Sequence, residues 1–306
     1  MSEKAISSAK KILTYGITPP KTSYSEERRR NTAEAQTARI RELPIDALVT
    51  YDLQDESSRT DVERPFPFLE SIDPLEYAYD YLSGVPQSKI VYRSVAGQTP
   101  DSMVAWLKKL AEHDGATVLV GAPSAKQELS LRLSEGYSLL REHAGDVCLG
   151  GVLIAERHED RGGEDLRVLR KVERGCEFFI TQAVYSVAAS KNVLSDLYYR
   201  CQSEEREMPH IMITLSPCGS DKTLAFMNWL GVSVPGWLRN ELLHANDILD
   251  KSIDLSTSAF EELYEFSKTK GFTLGCNVES VSLRKAEIDA SVELVHRIAK
   301  ILGRSS

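Results

Sequence analysis

Eight short apolar runs recur along the chain, with stretches of helical periodicity between them. The runs are Ile12 to Ile17, Ala47 to Tyr51, Ile90 to Val95, Thr117 to Val120, Val152 to Ala155, Phe178 to Thr181, Ile211 to Leu215 and Phe272 to Asn277. Each is short, bounded by polar or turn-forming residues, and reads as a buried strand. Between them apolar residues return at the 3.6-residue period, as in Val104, Leu107, Leu110 and Ala111, or Val292, Leu294, Val295, Ile298 and Leu302. Strict alternation of strand and helix implies a parallel sheet, and eight repeats favour closure into a barrel over an open sheet. The expected fold is therefore α/β, a single (β/α)8 TIM barrel.

The stretch from Gly150 to Tyr185 shows the unit most clearly. Val152 to Ala155 follows a Gly-Gly pair and ends in the charged run Glu156-Arg157-His158-Glu159-Asp160, read as a loop. Leu166, Leu169 and Val172, with Gly175 after them, form a helical stripe with a stop signal, and Phe178-Phe179-Ile180-Thr181-Gln182 is the next strand. Glu156, His158, Thr181 and Gln182 should then meet at one rim, the carboxyl end of the strands, where barrels of this kind carry their sites. The segment Thr60 to Pro74 is too proline-rich for a helix and reads as an extended rim loop. Val234-Pro235-Gly236 introduces a short extra helix.

Composition narrows the function classes. The 306 residues carry a formal net charge of -8, and a phosphate backbone calls for a basic face, so nucleic acid is not the expected partner. No apolar run approaches the roughly 20 residues of a membrane span. The polar start MSEKAISSAKK lacks the apolar core of a secretory signal, which makes cytoplasmic the default expectation. Five cysteines, odd in number and without C-x-x-C spacing, read as small core residues. No G-x-G-x-x-G follows a strand and no Walker-type loop is present. Gly162-Gly163 could approach a phosphate, although such a pair is usually a turn. Six scattered histidines include no i, i+4 metal pair, and His158 is the one beside carboxylates at a strand end. Asp52, Asp55 and Glu56 follow the second strand and, with Glu156, are the candidate general acids, because crowding in a concave site raises a carboxyl pKa.

The sequence resembles the catalytic barrel of the methylenetetrahydrofolate reductase family over about residues 12 to 302. The resemblance is carried by LTYGITPPKT, VTYDLQDESSRT, AERHED and LRKVERGCEFFITQAVY, followed in order by ITLSPCGS, WLGVSVPGWL and SLRKAEI. It implies an FAD-containing barrel in which NAD(P)H reduces 5,10-methylenetetrahydrofolate to 5-methyltetrahydrofolate. It also implies Gln182 as the residue contacting folate and nicotinamide, and Thr50, His158 and Lys171 as flavin contacts, with Glu164 in place of an aspartate. A chain of this length has no room for the regulatory domain of longer relatives, so one domain over 1–306 is expected; it could self-associate.

The sequence departs from the family pattern at the chemistry itself. The glutamate that donates a proton to the folate is replaced by Gly16. The Arg-Gly-Asp-like flavin contact after the fourth strand reads Val120-Gly121-Ala122, which leaves Gly121 of the three. A flavin-side histidine appears as Tyr92, a tyrosine as Ile154, and a folate-contacting arginine as Lys285. Three readings stay open: a reductase whose acid has moved to Asp52, Asp55 or Glu56, with flavin weakened or bypassed; a folate or flavin barrel turned to another one-carbon or imine reduction; and a non-catalytic partner subunit.

Overall fold

The computed structural model describes residues 11–57, 60–113, 115–122 and 130–304. Eight strands close into one parallel barrel in chain order: β1 (Leu13–Ile17), β2 (Ala47–Thr50), β3 (Ser88–Ser94), β4 (Gly115–Val120), β5 (Cys148–Leu153), β6 (Cys176–Ala183), β7 (His210–Leu215) and β8 (Leu274–Glu279), with β8 pairing back to β1. The helices outside are α1 (Glu26–Arg41), α2 (Pro74–Glu76, widening into a π turn over Tyr77–Tyr81), α3 (Pro100–Ala111), α4 (Leu133–His143), α5 (Ala155–Arg161), α6 (Glu164–Val172), α7 (Val187–Ser203), α8 (Asp221–Trp229), α9 (Gly236–Leu243), α10 (Ile248–Lys270) and α11 (Lys285–Ile301).

The period of two decides which side chains face the site. Ile12, Val49, Ile90, Val118, Phe178 and Met212 pack inside the barrel. Their neighbours, such as Leu13, Leu48, Val91, Leu119, Phe179 and Ile211, pack between strands and helices in the larger outer core. Each strand therefore seals the barrel with one face and seats its helix with the other. Pro100 begins α3 behind the capping pair Thr99 and Ser102, and Asp247 accepts from two amides at the start of α10. The residue before β2 joins β1 to the segment after α11: Arg304 pairs with Asp46, whose carboxylate also accepts the Leu13 amide at 2.8 Å.

All eight expected runs fall on strands, but the eighth starts and ends two residues later, at Leu274 and Glu279, and the fifth is displaced. It spans Cys148–Leu153, with the two glycines inside it. A β-carbon at Gly150 would stand 2.4 Å from the Phe178 ring, and one at Gly151 would stand 2.7 Å from Phe179, so the glycines make room for the bulky side chains of β6. The charged run after it is the helix α5 rather than a loop. Its charges hide any apolar stripe, and only Ala155 is fully buried. Gly162 and Gly163, with φ of 67° and 75°, end α5 and start α6, so their work is to turn the chain. All five cysteines are buried free thiols. Among the described residues no helix is long and apolar enough to cross a membrane.

Candidate functional site

The carboxyl ends of the strands open into a cavity of about 1730 Å³. Gly16, Tyr51, Tyr92, Val152, Gln182 and Glu279 reach it from six strand ends. The expected rim loop roofs it with Phe66, Pro67, Phe68 and Leu69. That loop is docked on α8: the Trp229 indole donates to the Val62 carbonyl at 2.9 Å, Phe66 meets Phe226 edge to face at 5.3 Å, and the Arg64 guanidinium stacks over Phe226 and Trp229. One wall is basic. Arg161, Arg167, Arg170, Lys171 and Arg174, from α5, α6 and the turn after α6, line it in a chain of net negative charge.

A polar network crosses the floor. Asn277 points inward from β8, where its carbonyl accepts from the Thr14 hydroxyl at 2.8 Å and its amide donates to Thr214 at 3.2 Å and to the Tyr51 hydroxyl at 2.8 Å. Tyr51 in turn donates to Glu279 and packs edge-on against Tyr92, with ring centroids 4.8 Å apart. Glu279 is the last residue of β8 and the ladder partner of Gly16 on β1. The space a side chain at 16 would need is filled by the Tyr51 ring. Surrounding protein lifts the Glu279 carboxyl to about 6, although the hydrogen bond from Tyr51 works against the rise. Part of its surface stays open to the cavity.

The other carboxylates divide. Asp52 lines the cavity, and burial raises its pKa against the hydrogen bonds it accepts from the Ser94 amide at 2.8 Å and Gln54 at 2.9 Å. Glu156 likewise lines the cavity with its pKa raised by burial, one oxygen accepting the Ser233 amide at 3.2 Å. Glu56 lies on the lining. Asp55 does not: it is exposed, and its own loop holds it through Ser57, which depresses its pKa. That is the wrong direction for a general acid, so Asp55 leaves the set of candidates.

Gln182 is where the sequence places it, on the cavity, with its amide nitrogen donating to the Leu230 carbonyl at 2.8 Å and its carbonyl oxygen left to the cavity. Lys171, Tyr92 and Gly121 also line the cavity. Three further positions do not. Thr50 is fully buried next to the cavity-facing Tyr51, and its hydroxyl has no partner. By the alternation of β2 it faces the helices with Leu48. His158 sits behind α5 between Asp196, at 3.0 Å, and Asp165, at 3.7 Å. Glu164 is fully buried and accepts the Ile154 amide at 3.2 Å. The expected convergence of Thr50, His158, Lys171 and Gln182 on one pocket thus holds for the last two.

Lys285 is also displaced from its expected role: it is 87% exposed and paired with Asp289 at 2.6 Å, whereas the adjacent Arg284, which precedes α11, lines the cavity. A shift of one residue at a helix start swings a side chain away from the mouth. Glu279 lies beyond the expected eighth run, which ends at Asn277; the polar-strand-end signal that marks Gln182 also marks Glu279, two residues farther on.

These positions do not assemble a flavin cradle. Thr50, His158 and Glu164 are closed off by protein, and the Lys171 ammonium, its pKa lowered mainly by burial, donates to the Val152 carbonyl at 2.5 Å. Among the described residues no cluster of His, Cys, Asp and Glu could hold a metal ion.

No protein-family model matches the chain, and no curated protein matches it. Among solved structures, the chain is similar to an uncharacterized protein from Clostridium thermocellum that binds two copies of 5-methyl-5,6,7,8-tetrahydrofolic acid. The two are 43% identical, the match covers 98% of each chain, and the TM-score is 0.86. A GH113 β-1,4-mannanase, 11% identical over 94% of this chain and 99% of its own with a TM-score of 0.52, shares the barrel fold alone.

Proposed function

The chain belongs to the family of that Clostridium thermocellum protein, and on that premise we propose that it binds a reduced folate at the barrel mouth and reduces 5,10-methylenetetrahydrofolate to 5-methyltetrahydrofolate with NAD(P)H. The resemblance to methylenetetrahydrofolate reductases supports the reaction. The observation that carries the reading is Gln182, an amide oriented by Leu230 at the mouth, where it can hydrogen-bond a pterin or carboxamide edge. The arginine wall complements the carboxylates of the folate tail.

A cavity of about 1730 Å³ exceeds the roughly 300–1,000 Å³ of a site for one drug-sized ligand, which supports two ligands binding side by side. With folate and dihydronicotinamide together, hydride passes directly to the methylene-iminium carbon, which is electrophilic enough to accept it.

The two folates bound by the relative favour a second reading, a folate-binding barrel without reductase chemistry of its own. Three measurements decide: the absorbance spectrum of the protein as isolated, oxidation of NADH and NADPH with and without 5,10-methylenetetrahydrofolate, and the stoichiometry of 5-methyltetrahydrofolate in calorimetry. Folate-dependent oxidation by a colourless protein supports direct reduction. Folate binding without oxidation leaves the second reading, and absence of binding removes both.

A further inference from the structure

We propose that Glu279 is the proton donor that opens the imidazolidine ring of 5,10-methylenetetrahydrofolate, acting from the end of β8 with Tyr51 and Asn277 as its positioning residues. The proposal rests on the reductase reading above.

The geometry is one of directed hydrogen bonds. Thr14 and Thr214 fix the Asn277 amide, which fixes the Tyr51 hydroxyl as an acceptor on one side. The phenolic proton is thereby committed to Glu279. A carboxyl group held at one oxygen still has a second to offer the cavity it lines. Gly16, opposite it on β1, leaves room for the Tyr51 ring that holds the carboxyl.

Asp52 is less free than Glu279, and Glu156 is held outside the Asn277–Tyr51 network. Asp52 is engaged at both oxygens, by Ser94 and Gln54, and Glu156 is turned to the Ser233 amide on the side of α5. The titratable group that acts on Glu279 is the Tyr51 phenol; it and the neighbouring Tyr92 phenol are both pushed well above their usual range by burial, so neither is ionised when Glu279 titrates. A carboxyl raised toward neutrality can hold a proton at working pH and release it to a forming amine.

The step balances. The Glu279 proton moves to N10 as the bond between N10 and the methylene carbon breaks, with that bond's electron pair going to N10. The N5 lone pair forms the N5-methylene iminium, hydride from the dihydronicotinamide reduces it to the N5-methyl group, and the nicotinamide is oxidised. Water entering the open cavity reprotonates the carboxylate.

Ring opening needs no reductant, so the test is made both with and without nicotinamide. The protein should accelerate exchange of labelled formaldehyde into 5,10-methylenetetrahydrofolate. Glu279→Gln should lower both this exchange and NAD(P)H-dependent turnover by about 10²–10⁴-fold while 5-methyltetrahydrofolate affinity stays within threefold. Glu279→Asp should recover part of the rate, and loss of activity with a midpoint near pH 6 should be present in the wild type and absent from Glu279→Gln. Wild-type exchange that Glu279→Gln abolishes, without any hydride transfer, would retain the acid and remove the reductase reading. Exchange or turnover in Glu279→Gln within threefold of wild type, or a wild type that does not accelerate exchange, would overturn the assignment.

Discussion

Gly16 and Tyr51 exclude one another: a β-carbon on Gly16 would stand 2.9 Å from the Tyr51 hydroxyl and 2.7 Å from its ring edge. The ring cannot swing aside cheaply, because Asn277, Glu279 and Tyr92 hold it. The glycine on β1 and the tyrosine after β2 are therefore one feature, and the acid on β8 depends on both.

Gly16→Ala should cost about 1–3 kcal/mol by overpacking, read as a lowered Tm, and Gly16→Glu should cost more without raising turnover. A Gly16→Glu variant with wild-type Tm and faster reduction would show that Tyr51 yields and that β1 can still carry the acid.

Glu279 should make stability depend on pH. Its folded pKa lies above the ordinary carboxyl value, so its contribution is fully present below about 4.5 and is lost as pH rises through about 6. The carboxylate then costs the fold about 2 kcal/mol at pH 8. Glu279→Gln should accordingly be more stable than wild type at pH 8, with the difference shrinking toward pH 4.5. Denaturant titrations at the two pH values check this, and a difference that does not change with pH would contradict it.

Gln182→Ala should weaken 5-methyltetrahydrofolate binding by about tenfold, near the 0.5–1.5 kcal/mol of a hydrogen bond, whereas Lys285→Ala should leave it unchanged. Arg284→Ala should weaken it, since Arg284 and not Lys285 lines the cavity. Calorimetry on the three variants separates the two neighbours, and equal losses at 284 and 285 would argue against the placement of the folate.

The arginine wall should make folate affinity fall with rising salt, because charge-assisted contacts are screened. Replacing Arg170 and Arg174 with alanine should flatten that dependence without lowering Tm. An unchanged salt slope would turn the tail elsewhere.

Arg304→Ala should destabilise the fold by about 2 kcal/mol, within the range for a charged hydrogen bond. Its guanidinium joins Asp46 before β2 to the Lys11 carbonyl before β1. Chemical denaturation of this variant, far from the cavity, should show lost stability with unchanged folate binding.

The sequence by itself determined the barrel: eight apolar runs alternating with helical stripes leave few other ways to bury both faces of every strand. It also pointed to the carboxyl rim and to Gln182 there, because polar residues that end buried strands gather at that end of the barrel. Tertiary structure decided the rest, since period alone does not say which face a terminal residue takes or what stands across the ladder. Thr50 and Tyr51 are neighbours in sequence, yet one seats a helix and the other lines the cavity. Gly16 and Glu279 lie at opposite ends of the chain, and only closure of β8 against β1 makes them partners.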